Sequence, residues 1–278
     1  MEPLEPRHTA ELFRPLLGEL IVLLRSLEPA MWDRPTVAGH WRVRDVVAHL
    51  LDVDLRRLAI CRDGHQVAPD KPIASDRDLV RFINQLNAGG VAYGARLSGR
   101  LLIDLLAVTG GWVADYFSAL PAHDRAMFSV SWAGEAVSEN WMDVGRDYTE
   151  RWHHQMQIRD AIGRPRLLDP VWMEPLIEFS VRALPPSYAE VVAPAGSAVT
   201  LQVHGETEGS WTLLREDAAW HLRRGRPSAP STIVSVAADD VWRLFFNALS
   251  AQATAERVVV EGDRSLAAPL LRSRSVIV

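Results

Sequence analysis

The sequence predicts an all-α, up-down four-helix bundle followed by a small α+β domain, and three observations carry that prediction. Apolar residues recur at helical spacing through most of the first half of the chain. A proline-rich linker, "ALPPSYAEVVAPAGS", then interrupts it. Beyond that stretch come short runs rich in Val, Thr, Leu and Trp, separated by turn residues, as strands require. The 278 residues suffice for one large domain or two ordinary ones. The expected division is 1–184 for the bundle and 190–278 for the second domain.

The first helix is expected from Ala10 to Leu27, where "EPAMWDRP" breaks the pattern with two prolines. In the second, Val43 to Cys61, the residues Val43, Val46, Val47, Leu50, Leu51 and Leu58 form one apolar stripe, and Asp63-Gly64 ends it. Ser75 is a plausible N-cap for a third segment reaching Leu97. A fourth runs from Arg100 to Leu120 and stops at Pro121. After a long connection, a helix from Glu139 to Ile162 is ended by Gly163 and Pro165. The expected bundle is built on four principal helices from among these, with an extra one at Val171 to Ala183. In the second domain, "AVTLQVHG", "SWTLLRE", "AAWHLRRG" and "STIVSVA" read as strands. "ADDVWRLFFNAL" reads as a helix and "ERVVVEGD" as a final strand before a short C-terminal helix.

A hydrophobic fraction of 48% and a charged fraction of 23% are those of an ordinary globular protein. The net charge of -5 provides no global field towards nucleic acid or an anionic membrane. The apolar runs, such as "ELIVLL", are short for a bilayer span. The N-terminus is acidic where a secretion signal would be basic, so a cytoplasmic location is the expectation. With Cys61 as its single cysteine the chain forms neither an internal disulfide nor a thiolate metal cluster.

The chemistry concentrates in "YTERWHHQMQIRD", residues 148–160, which crowds Glu150, His153 and His154 around Trp152. On a helix, residues three and four apart share a face, so Glu150 points the same way as both histidines. One carboxylate with one imidazole is half of a metal site. Of the remaining histidines, His8 and His123 fall outside the helices, and His40 and His65 sit at helix ends. His204 and His221 belong to the second domain. His49, in "WRVRDVVAHLLDVD", lies well inside a bundle helix beside its apolar stripe, where a half-buried histidine bonded to a carboxylate is the ordinary alternative to a ligand. Bundles recurrently build metal sites from inward Glu and His, and two His with one carboxylate is a common catalytic zinc set with open positions. Spacing alone leaves His153 and His154 as rivals.

"HWRVRDVVAHLLDVD" resembles the second-helix signature of the DinB-like bundle family, and "DYTERWHHQMQIRDAIGRP" resembles the matching helix of its mycothiol-dependent maleylpyruvate isomerase branch. The resemblance covers roughly residues 8 to 165. It implies a divalent metal, expected to be zinc, held by His49, Glu150 and His154, which favours His154 over His153. A second domain like sterol carrier proteins is usual in this branch, and "DDVWRLFFNALS" and "VVVEGDRSLAAPLLRSRSVIV" look like one. The resemblance also implies the chemistry. A metal with an open position lowers the pKa of an external low-molecular-weight thiol such as mycothiol. In the isomerase that thiol adds to the cis double bond of maleylpyruvate, and rotation and elimination give the trans product. Related members use the thiol to open or displace electrophiles.

The partners expected are therefore a small-molecule thiol and an electrophile, with no nucleic acid and no membrane. Cys61 does not supply the thiol: twelve residues from His49 on one helix is about 18 Å along its axis. An anionic substrate calls for arginine. Arg243, which interrupts the apolar "VWRLFF", is the candidate substrate-binding residue, with Arg146 and Arg151 on the ligand helix as others. For each, a structural ion pair is the ordinary alternative. No GxSxG elbow, Walker loop, GxGxxG or HExxH is present. The competing expectation is a non-catalytic, metal-containing binding or regulatory protein.

Overall fold

The computed structural model describes residues 1–65 and 68–276. The chain opens on a two-residue strand, β1 (Glu2–Pro3), and a single 3-10 turn then leads into α1 (Phe13–Arg25). Phe13, Leu16, Leu20 and Leu24 bury one stripe of α1 at spacings of three and four. The second helix, α2 (Val43–Arg57), starts where the Asp45 carboxylate accepts the backbone N–H of Arg42 at 2.9 Å, which satisfies one of the donors a helix start leaves over. It continues as a π-helical turn, Leu58–Arg62, and stops at Gly64 with φ of 70°. Ser75 caps α3 (Asp76–Gly94) by accepting the N–H of Asp78, as its position in the sequence predicts. Ser98 does the same for α4 (Gly99–Ala119) through Leu101.

The long helix α5 (Asn140–Ala161) follows, and the predicted stop at Gly163 has the required left-handed backbone, φ 66°. Then come α6 (Pro170–Ser180), a 3-10 turn, and α7 (Leu184–Ser187). The "ALPPSY" stretch is thus no open linker. Its prolines occupy a first helical turn, where their missing N–H groups cost nothing, and Leu184 and Tyr188 are buried. The remaining elements are β2 (Ala198–His204), β3 (Gly209–Glu216), β4 (Ala219–Arg224), β5 (Thr232–Ala237), α8 (Ala238–Phe245), α9 (Ala251–Arg257), β6 (Val259–Gly262) and α10 (Arg264–Arg272).

The described residues divide into two compact units, both discontinuous: residues 9–127 with 150–166, and residues 1–8 with 128–149 and 167–276. The first is helical. Here α2 packs against α3 and α4, and α1 against α4. Leu20, Leu24, Val46, Val47, Leu50, Leu102, Leu106 and Ile158 form its core, so the C-terminal part of α5 is wedged among α1, α2 and α4. The approach of α3 to α2 depends on glycine: a Cβ on Gly94 would lie 2.3 Å from that of Ala48, the neighbour of His49. By length and composition α4 is apolar enough to cross a membrane, and a little under half of it is buried inside the protein.

The second unit is built on a six-stranded mixed sheet in the order β1-β4-β3-β2-β5-β6. All pairs are antiparallel except β2 with β5. Inward residues of β2, β3 and β5 (Val199, Leu201, Val203, Leu213, Val234 and Val236) are fully buried, as are Trp242 and Phe245 of α8. The parallel pair and the N-terminal edge strand are absent from the sequence reading, because neither leaves a local pattern. The first strand is held by a cluster around buried Glu178, which accepts Arg7 at 3.1 Å and Arg224 at 2.6 Å.

Candidate metal centre

All three ligands expected from the sequence lie in the helical unit. His49 sits mid-way along α2, and Glu150 and His154 one turn apart on α5. His49 and His154 are each only 7% exposed and His153 4%, whereas His8, His40, His65, His123, His204 and His221 are all exposed. Burial thus separates three histidines from the other six. The ring of His49 meets that of His154 edge-on, with centroids 4.8 Å apart. Trp41 stacks on His49 at 4.9 Å and reaches His154 at 6.4 Å, so an indole walls the pair.

Glu150 brings the donors together. Its Oε2 lies 3.7 Å from Nε2 of His154 and 3.7 Å from Nδ1 of His153. Ligand atoms of Glu150, His153 and His154 all fall within 4.8 Å of one another. Two atoms sharing a tetrahedral zinc at about 2.1 Å each stand roughly 3.4 Å apart, so this spacing admits one ion with little rearrangement. Two further observations test the fit. His49 Nδ1 is buried with no hydrogen-bond partner among the described residues, a costly arrangement that a positive partner would relieve. His154 Nδ1 lies 2.9 Å from Oε1 of Gln157. An amide oxygen can only accept, so Nδ1 carries the proton and the lone pair is left on Nε2, facing Glu150. The donor set fits a divalent, borderline ion such as zinc.

Electrostatics favours the same role. Burial, and then the neighbouring His153, hold the His154 imidazole down at about 3; Glu150 and Gln157 oppose this weakly. Burial, followed by His154, also pushes His49 well below its ordinary value. Both rings are therefore neutral at ordinary pH, as metal ligands must be.

Beneath the cluster runs a polar tie that the sequence reading missed. Asp54 of α2, fully buried, accepts Arg151 of α5 at 2.5 Å and the hydroxyl of Thr109 of α4 at 2.8 Å. Arg151 follows Glu150, and Asp54 lies five residues after His49, so the pair links the two ligand helices close to the donors. Its one sequence signal was an acidic residue on the inner face of an apolar helix. Arg151, offered as a substrate group, is thus a partner of Asp54, and Arg146 is ion-paired with Asp143. In the other unit, Arg243 is only 8% exposed on α8, 3.7 Å from Asp239 and over the Trp242 ring. Cys61 is half-buried in the π-helical turn after α2, its Sγ 3.7 Å from Nη1 of Arg57.

A profile described as the mycothiol maleylpyruvate isomerase N-terminal domain matches residues 13–159, just over half of the chain. The match spans all the residues of the cluster. The chain belongs to this family. Two solved structures share the fold of this family member. The mycothiol-dependent maleylpyruvate isomerase matches at 12% identity with a TM-score of 0.56. A histidine-to-alanine mutant of it matches at 11% and 0.55. In each case the match covers 94% of this chain and 96% of the other. A sterol carrier protein 2 like 2 from Aedes aegypti covers 34% of this chain and 93% of its own at 16% identity, but its TM-score of 0.27 is too slight to carry weight. No curated protein matches the chain. At these identities the solved structures speak for the fold alone: a mycothiol maleylpyruvate isomerase-type helical region, followed along the chain by a mixed-sheet region.

Proposed function

We propose that this chain is a metal-dependent enzyme using an external low-molecular-weight thiol, as a maleylpyruvate isomerase-like cis-trans isomerase or a thiol S-transferase. The observation that carries the reading is the donor cluster of Glu150, His153 and His154, with the buried ring of His49 4.8 Å from that of His154, in a member of this family. A bound divalent ion, zinc by its donor set, would supply the Lewis acidity that lowers the pKa of a thiol at an open position. The chain's own groups do the rest. Gln157 fixes the tautomer of His154. Burial keeps both imidazoles neutral. Glu150 cancels one charge, so a bound divalent ion keeps a net charge of about +1, which favours thiolate over thiol. Trp41 closes one side of the pair against water.

Mycothiol is the thiol we assign, by analogy with the solved isomerase that depends on it. Arg243 is retained as the candidate group for an anionic substrate, and the cytoplasm as the location. Metal-loaded protein should consume a small thiol in the presence of an electrophile, faster than metal-free protein does. The absence of metal-dependent turnover across a broad electrophile panel, with mycothiol and other bacterial thiols, would overturn the reading.

A second reading has one specific observation in its favour. His153 stands as close to Glu150 as His154 does. If both join Glu150 and His49, four protein ligands close the coordination sphere, and the protein becomes a metal-containing binding or regulatory protein. The number of histidines bound, read by X-ray absorption, separates the two.

A further inference from the structure

Gln155 takes no part in the metal centre or in the polar tie beneath it, yet it is wholly buried on α5, one residue after His154. Neither its Oε1 nor its Nε2 has a hydrogen-bond partner among the described residues. A primary amide offers two N–H donors and an oxygen with two lone pairs, all of which water serves in the unfolded chain. A buried amide left unserved carries its full desolvation cost. Gln157, two residues on, shows the ordinary outcome: its Oε1 meets His154 at 2.9 Å.

The Gln155 amide opens on a cavity enclosed by α1, α2, α4 and α5. Its volume is about 20 Å³, in the measure by which a single water needs about 10–15 Å³. Leu16 and Leu20 of α1, Leu50 of α2 and Leu106 of α4 form apolar walls. The polar groups on its lining are Gln155 and Arg151, one turn apart on α5. Apolar cavities of this kind stay dry, whereas polar ones hold water that makes about three hydrogen bonds.

We propose that this cavity is a binding site for one water molecule, held by the Gln155 amide and the Arg151 guanidinium. The pattern of donors and acceptors selects water. One molecule bridges the amide in a closed ring, donating to Oε1 and accepting the N–H on the same side, and it accepts a second N–H from Arg151. A cation is repelled by the guanidinium, an anion such as chloride has no proton for Oε1, and an organic ligand is too large. Arg151 in turn meets Asp54 of α2. The water thus extends the buried tie from α2 through α5 to the apolar face of α1. None of this depends on the metal or on a thiol.

The wild-type full chain tests the site directly. A high-resolution crystal structure should show one isolated peak within about 2.7–3.2 Å of both amide atoms of Gln155 and of a guanidinium nitrogen of Arg151. In solution, the Gln155 side-chain NH2 should show a direct nuclear Overhauser effect to water, with the sign of a water that stays longer than the protein takes to tumble. Gln155→Leu removes the amide, and oxygen-17 relaxation dispersion should then count one long-lived water fewer, with circular dichroism showing that the fold is kept. Should that variant not fold, the two wild-type readouts decide alone. A dry cavity, a Gln155 amide turned onto a protein group, or an unchanged count of long-lived waters in folded Gln155→Leu would each overturn the proposal.

Discussion

Replacing Asp54 by alanine should be among the most damaging single changes in the helical unit, although Asp54 is expected to touch neither metal nor substrate. Its carboxylate is fully buried and accepts both the Arg151 guanidinium and the Thr109 hydroxyl. Asp54→Ala takes this buried carboxylate from Arg151, whose side chain is 12% exposed. Removing one partner of a buried ion pair costs about 3–5 kcal/mol, against about 1 kcal/mol for an exposed pair. At urea slopes of about 1–3 kcal/mol/M, that loss lowers the unfolding midpoint by at least about 1 M. Urea unfolding of metal-free protein, followed by helical circular dichroism, measures it. Arg151→Met in the Asp54→Ala background should recover part of the loss, because it removes the charge that Asp54 neutralised. The same tie sets α2 against α5, so Asp54→Ala should also weaken metal binding in a chelator competition. A loss below about 1 kcal/mol would show that the pair is effectively solvated and would refute the argument.

Three other outcomes follow from the geometry. His154→Ala should abolish metal binding while His153→Ala largely keeps it, and equal loss from both in metal analysis would point to a four-ligand site. Metal-free protein should lose stability on acidification from its plateau above pH 6.5. Between that ordinary value and the folded value of about 3 for His154, the unfolded chain holds a proton that the folded one refuses. The loss approaches about 1.4 kcal/mol per pH unit for one such imidazole; His154→Ala should flatten the profile between pH 7 and 5, and an unchanged slope would contradict it. Gly94→Ala would press a methyl to 2.3 Å from the Ala48 Cβ, so it should cost about 1–3 kcal/mol and loosen metal retention beside His49; a neutral result would show that α3 shifts freely.

Local signals made much of this fold legible. Ser75, Pro121 and Gly163 punctuate helices because capping and the left-handed stop are short-range chemistry. The apolar stripe of α2 appears as buried Val43, Val46, Val47, Leu50 and Leu51 for the same reason. What stayed hidden was long-range. Glu2 and Pro3 pair with Arg224 and Arg223 across almost the whole chain, and no residue near them announces it. The proline-rich stretch has the composition of a linker because proline breaks helices in their interior, yet here it begins one. At the site, helical spacing put Glu150, His153 and His154 on one side of α5. It gave neither the depth of burial that sets the histidine protonation states nor the Asp54–Arg151 tie beneath them.

The central claim is that His49, Glu150 and His154 hold one divalent ion with a position left open. Elemental analysis combined with zinc-edge X-ray absorption on the purified, metal-supplemented protein tests it most directly. The account predicts one ion per chain, two imidazole nitrogens and one carboxylate oxygen at about 2.0–2.2 Å, and an exchangeable light-atom ligand that an added thiol replaces with sulfur at about 2.3 Å. Protein that folds, binds no stoichiometric metal and shows no sulfur ligand with thiol present would contradict it.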